Sequence, residues 1–316
     1  MALYLFKRLI TLIATLAVTS VVVFTVLEVL PGNAAQVLMG PDASPEAVAA
    51  LTTKLGLDQP APARYGQWIV GLLTGELGLS ATYSTPVGEL VLERLALTVP
   101  LAVMAMGLTL VLALTAGVYA AARHHKAGDV GVMGLTQVGI AIPNFWFAIL
   151  LILLFSVHLK WFAAGGFPGW QDGALPALRA LLLPALSLAV VQSAILARIT
   201  RSAVLEVLRE DFVRTARAKG ASARRVMWGH VLRNALIPVI TVMGLQFAEL
   251  LAGTIVVESV FYLPGLGRLI FQSIANRDLI VVRNCVMLLA VMVVVVNFVV
   301  DVLYAVIDPR VKASDI

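Results

Sequence analysis

The chain has 316 residues, 60% of them hydrophobic and 13% charged, with mean hydropathy +0.95 and a formal net charge of +5. A water-soluble domain carries about 45–50% apolar and about 25% charged residues, so this composition excludes an ordinary soluble protein and leaves a chain solvated largely by lipid. The single cysteine, Cys285, excludes an internal disulfide and a thiolate zinc or iron–sulfur site.

In chain order, the first apolar run covers residues 9–30 and follows Lys7 and Arg8. Its length exceeds the about 7–15 residues of a cleavable signal core, so a retained spanning helix is expected. The next segment, 31–93, carries Asp42, Glu46, Asp58, Glu76, Glu89 and Glu93 against Lys54, Arg64 and no other base before Arg94. Ser44-Pro45 and Thr85-Pro86 each have the form of an N-cap followed by proline at the first helical position. Between them, Tyr65, Trp68, Ile69, Leu72 and Leu73 recur at the spacing of an amphipathic helix. A small helical cap is expected here.

Five further runs follow, at 97–122, 132–157, 180–197, 235–257 and 286–307. The fourth of the six spans is diluted by Pro184, Ser187, Gln192 and Ser193. Six spans put fifteen of the 23 basic residues on the side that carries both termini, including nine between Arg198 and Arg233. The positive-inside rule makes that side cytosolic and the cap external.

Chemistry is excluded as well. None of the six lysines precedes Ser or Thr, so no P-loop is present, and none of His124, His125, His158 and His230 belongs to H-E-x-x-H. Among acidic groups in or beside the spans, Glu28 and Asp301 lie near helix ends and Glu249 lies well inside, with no base three or four residues away. Glu249, Glu258 and Asp301 are the candidate pathway or gating residues. A proton-coupled carrier needs partnered ionisable groups near the midplane, and one glutamate is thin support for that alternative.

The segment 198–234 is too long for a simple helix connection, and its nine bases face only Glu206, Glu210 and Asp211. Its sequence predicts helix, turn, helix: Phe212, Val213 and Ala216 at helical spacing, Gly220 as a left-handed stop, and Ser222 as the next cap ahead of Val226, Met227, Val231 and Leu232. A basic patch on anionic headgroups would explain the charge. It would not explain the small residues Ala216, Ala218, Gly220, Ala221 and Ala223, which suit close fitting into a protein cleft. A DNA-binding helix-turn-helix is disfavoured by the spans on both sides.

"EDFVRTARAKGASARRVMWGHVLRNALIPVIT" resembles the cytosolic coupling segment of ABC importer permeases of the dipeptide/oligopeptide/nickel family. "LEVLPGN", "LGLDQP", "LTGELGLS", "ARITRSAVLEVL", "ESVFYLPGLGRL" and "VDVLYAVIDPR" extend the resemblance along nearly the whole chain. It implies an all-α polytopic protein with the type I importer permease fold: a spanning helix in 1–30, an external helical cap in 31–95, and a five-helix permease core in 96–316 with the coupling segment at 200–234. The implied partners are a second, different permease, two ATPase subunits that hold ATP and Mg, an external solute-binding protein and the bilayer of a bacterial inner membrane. Nucleic acid is not among them, and no catalytic site, metal or cofactor belongs to this chain. The ATPase-coupling residues implied are Arg214, Thr215, Ala216, Arg217, Lys219, Gly220, Ala221 and Arg224. Arg214-Thr215-Ala216 stands where other importers have Glu-Ala-Ala, and the motif's closing proline is displaced to Pro238. Peptide is the expected cargo, with nickel chelates, glutathione, opines and sugars as the family's alternatives.

Overall fold

The computed structural model describes residues 2–29, 39–40, 43–54 and 56–307. Leu30, Asp42, Leu55, Arg310 and Lys312, used above, lie outside them, as do the ends of the first and last family-like stretches. The described residues are helical, with one isolated bridge between Leu79 and Pro86. In order they form α1 (Ala2–Val29), α2 (Pro45–Lys54), α3 (Ala61–Thr74), α4 (Val87–Ala122), α5 (Ala127–Ala141) and α6 (Asn144–Leu151, continued by a π segment, Ile152–His158). There follow α7 (Ala174–Val207), α8 (Asp211–Ala218), α9 (Ala223–Arg225), a π segment (Val226–Val231), α10 (Leu232–Val260), α11 (Leu266–Ala275) and α12 (Leu279–Ile307).

Among the described residues five helices are long and apolar enough to cross a bilayer, and the α5–α6 pair would make six if it is one span. The expected continuous third span, 132–157, is corrected: the two helices meet at a bend of 103°. Pro143 has no N–H and pushes Ile142 out of the helical region, to φ −89° and ψ 123°. The fourth span and the coupling segment are also redrawn. α7 runs on to Val207 and α10 starts at Leu232, so the non-spanning part of 198–234 is shorter than the charge pattern suggested.

The chain divides into two compact units. One comprises residues 1–9, 99–263 and 295–316. In it α7 packs against α5, α6 and α10. A Cβ at Gly117 of α4 would lie 2.6 Å from Thr200 Cβ and 2.7 Å from the Ala197 carbonyl oxygen of α7, so only glycine permits that approach. Gln246 of α10 donates from Nε2 to the Gln192 carbonyl oxygen of α7 at 3.0 Å, satisfying a buried amide inside the helix pack.

The other unit comprises residues 10–98 and 264–294. Ser44 caps α2 as its sequence predicts, its Oγ accepting from the Ala47 amide at 3.2 Å. Thr85 does not act as a cap: α4 begins at Val87, and the buried Thr85 hydroxyl has no hydrogen-bond partner. Tyr65, Trp68, Ile69 and Leu72 of α3 pack with Phe24 and Met287, whereas Leu73 turns outward and is exposed. Asp278 is buried and caps α12, taking the Val281 amide at 3.3 Å, the Ser80 hydroxyl at 2.6 Å and the Thr82 amide at 3.0 Å.

Candidate functional site

The coupling segment folds as the local chemistry demands. Asp211 opens α8 with an acid in its first turn, where the helix dipole favours negative charge. Gly220 ends the helix at φ +81°, and the Ala221 amide reaches back to the Ala216 carbonyl at 3.2 Å, satisfying an otherwise orphaned acceptor. Ser222 then caps α9, its Oγ accepting from the Arg225 amide at 3.4 Å. From there the chain runs through the π segment directly into α10, and only Leu208, Arg209 and Glu210 separate α7 from α8. The element is thus joined closely to a long helix at each end.

Its inner face is apolar. Val213, Val226, Val231 and Leu232 are buried in a cluster with Val118 and Ala121 of α4 and Ala203 and Val204 of α7. Among the predicted site residues, Ala216 and Ala221 pack against this cluster, so those two small residues serve the chain's own packing. Arg214, Thr215, Arg217, Lys219, Gly220 and Arg224 are exposed. Arg214 makes one loose pair with Asp211, 3.3 Å away on the same helix and with both side chains largely in solvent. The eight predicted residues therefore form one continuous patch with a buried seam and a cationic outer face.

Two exposed aromatic residues of the same segment were not among the predicted site residues. Phe212, expected on the packed stripe, is 43% exposed, and Trp228 is 55% exposed. Their signal was available: Phe212 is one residue off the buried Val213 and Trp228 two off the buried Val226, in an otherwise basic stretch. Trp228 shares a shallow depression with Ser222, Arg224, Arg225 and Gly229.

A second group that sequence reasoning missed lies at the start of α5. Asp129, buried, receives Arg201 Nε on Oδ1 at 2.6 Å and Arg201 Nη2 on Oδ2 at 2.7 Å. The His125 amide adds a third bond at 3.1 Å. Arg201 Nη2 also donates to His124 Nδ1 at 3.0 Å, which requires that nitrogen to carry a lone pair. This bidentate pair ties the α4–α5 turn to the stretch of α7 just ahead of the coupling element.

The three candidate pathway carboxylates are not brought together. Glu249 and Glu258 are nine residues apart on α10, about 13.5 Å along the axis and on opposite faces. Glu249 is exposed and Glu258 is fully buried. Asp301 of α12 pairs with Arg8 of α1 at 3.2 Å, both side chains remaining partly solvated.

With this geometry in view, the comparisons with known proteins agree. Residues 113–313 match the family described as binding-protein-dependent transport system inner membrane component, and residues 1–102 match its N-terminal membrane component. A putative peptide transport system permease protein of Brucella abortus is 43% identical over 306 residues, covering 97% of this chain and 98% of the relative. The dipeptide transport system permease protein DppB of Alkalihalophilus pseudofirmus is 37% identical, covering 98% and 99%. The glutathione transport system permease protein GsiC of Escherichia coli is 40% identical, covering 98% of each chain. Among solved structures, an inward-facing MetNI methionine ABC transporter aligns with TM-score 0.58 at 17% identity, covering 69% of this chain and 96% of that one, a likeness of fold. The chain belongs to the binding-protein-dependent transport system inner membrane components, as a permease subunit of an ABC importer.

Proposed function

We propose that this permease carries short peptides inward as one half of a type I importer. It pairs with a second, different permease, receives solute from an external binding protein, and is driven by two ATPase subunits that hold ATP and Mg. Both termini are cytosolic in this reading, because the cluster of bases lies on their side. The chain has no ATPase site of its own. The observation that carries the proposal is the helix–Gly220–helix element, with its apolar seam seated on α4 and α7 and its arginines exposed. Closure of the ATPase pair would move this element as a rigid knob, and its short links to α7 and α10 would pass the motion to both. Glu249 supports pairing: it is exposed on the single chain, and a carboxylate left against hydrocarbon in a spanning helix would cost about 2.5–3.5 kcal/mol, a cost removed by a partner chain or a watered pathway.

Peptide cargo rests on the names of relatives aligned over nearly the full chain. Glutathione, itself a tripeptide, is a second reading favoured by the relative at 40% identity. Reconstituting the permease pair, ATPases and binding protein in liposomes decides between them. ATP-dependent uptake of labelled dialanine is expected. Uptake of glutathione with none of dialanine would overturn the dipeptide reading, and uptake independent of ATP would overturn the importer itself.

A further inference from the structure

The unit formed by residues 10–98 and 264–294 holds a cavity of about 350 Å³, at the small end of the about 300–1,000 Å³ typical of small-molecule sites. Its lining is unusual for a surface meant only to pack. Arg64 is committed to a salt bridge with Glu28, and Asp278 is committed to its three hydrogen bonds at the start of α12. Arg283 is committed to neither. Among the described residues it makes no hydrogen bond or ion pair, and its Nε is buried without a partner. Its guanidinium carbon instead lies 4.7 Å from the centre of the Trp68 ring and 5.9 Å from that of Phe24.

The platform beneath Arg283 is built. Trp68 Nε1 donates to Asn284 Oδ1 at 2.9 Å, and Asn284 Nδ2 donates to the carbonyls of Leu77 at 2.8 Å and Ile280 at 2.9 Å. This network fixes the indole plane against which the guanidinium lies. The cation–π contact uses none of the guanidinium's N–H donors, so the edge formed by its two Nη groups is left to bind a ligand. That edge presents a planar fork of donors, which matches a carboxylate. Glu28, Glu76 and Asp278 line the same cavity against Arg64, Arg277 and Arg283, a balance of charge that suits a zwitterion better than a dianionic phosphate. Glu76 bonds to nothing among the described residues and offers a counterpart for an ammonium group.

We propose that this cavity binds the carboxylate of a small zwitterionic solute on Arg283, above the Trp68–Asn284 platform. As a site on the external side of a peptide importer it rests on the functional reading above, and its chemistry is testable separately. Labelled dialanine and its C-terminal amide are compared by equilibrium dialysis against the assembled importer in nanodiscs without the binding protein. The acid is expected to bind and the amide to bind at least about tenfold more weakly, a contrast that needs no mutation. Arg283→Gln should weaken the acid by a similar factor and leave the amide unchanged, while Arg283→Lys recovers part of the loss. Equal binding of acid and amide, no binding of the acid, or full acid binding by a correctly assembled Arg283→Gln complex would each overturn the site. Acid-selective binding in an importer that fails to take up peptides would sink the peptide reading and leave the site standing.

Discussion

Two sets of arginines in the unit formed by residues 1–9, 99–263 and 295–316 differ in everything except residue type. Arg201 is turned inward, forked onto a buried carboxylate with both hydrogen bonds near 2.7 Å or shorter. Arg214, Arg217 and Arg224, 13 to 23 positions further along, are exposed, and Arg214–Asp211 is the one ion pair they make among the described residues. The first arrangement resists motion between the α4–α5 turn and α7. The second does almost nothing for the isolated chain, which is what a surface kept for another protein should look like. Burial and partner geometry, more than charge, separate a structural cation from a docking one.

The sharpest way to break this comparison is to remove the inward member. Arg201→Ala leaves Asp129 ionised, buried and held only by the His125 amide and the neighbouring imidazole. For a fully buried pair the loss is about 3–5 kcal/mol; Arg201 retains some solvent access, so about 2–3 kcal/mol is expected here. Denaturant unfolding of the detergent-solubilised chain measures it. Asp129→Asn with Arg201→Gln, which removes both charges and leaves amides able to hydrogen-bond, should recover part of the stability. A single variant as stable as the parent would mean that the pair is not what holds the turn to α7.

Within the second set stands Gly220, whose role is conformational. Its φ of +81° is one that a β-branched residue tolerates at a cost of about 1–2 kcal/mol, and an added Cβ would meet nothing within 4 Å. Gly220→Val should therefore lower stability by that modest amount and still insert. Transport should fall much further, because that strain biases the turn away from the shape that aims α8 and α9. Gly220→Asn, which accepts left-handed backbone, should keep most activity. Normal uptake by the valine variant in the reconstituted importer would show that the turn's shape is not what the ATPases read.

This turn was legible in the sequence because its causes are local: a glycine, a serine two residues later, and apolar residues in register on either side. The spans were legible for the same reason, through hydropathy. The break at Pro143 was not, since Pro100, Pro184 and Pro238 each lie inside a continuous helix. Proline alone does not decide between a kinked helix and two helices; the packing around it does. The Asp129–Arg201 clamp joins residues 72 apart, and the Trp68–Asn284 platform joins residues 216 apart. No periodicity or short motif encodes either of them. Tertiary proximity alone distinguished Arg201 from the other arginines of the same basic run, and Arg283 from the committed Arg64 beside it.

The smallest expected effect on the chain itself is the most informative about its partner. Reversing Arg214 and Arg217 to glutamate touches no buried group, and surface changes of this kind stay within about ±0.5 kcal/mol. Unfolding should be nearly indistinguishable from the parent. Association with the ATPase subunits should nevertheless weaken, because like charges brought against a complementary surface oppose docking even where each original pair contributed little. Co-purification across a salt series reads this out: the parent complex should loosen as salt rises, and the reversed variant should be loose already at low salt. Recovery by compensating charge reversal on the ATPase would establish the contact. An unchanged complex in the doubly reversed variant would shift the docking role to the exposed Phe212 and Trp228, whose contribution salt would not weaken.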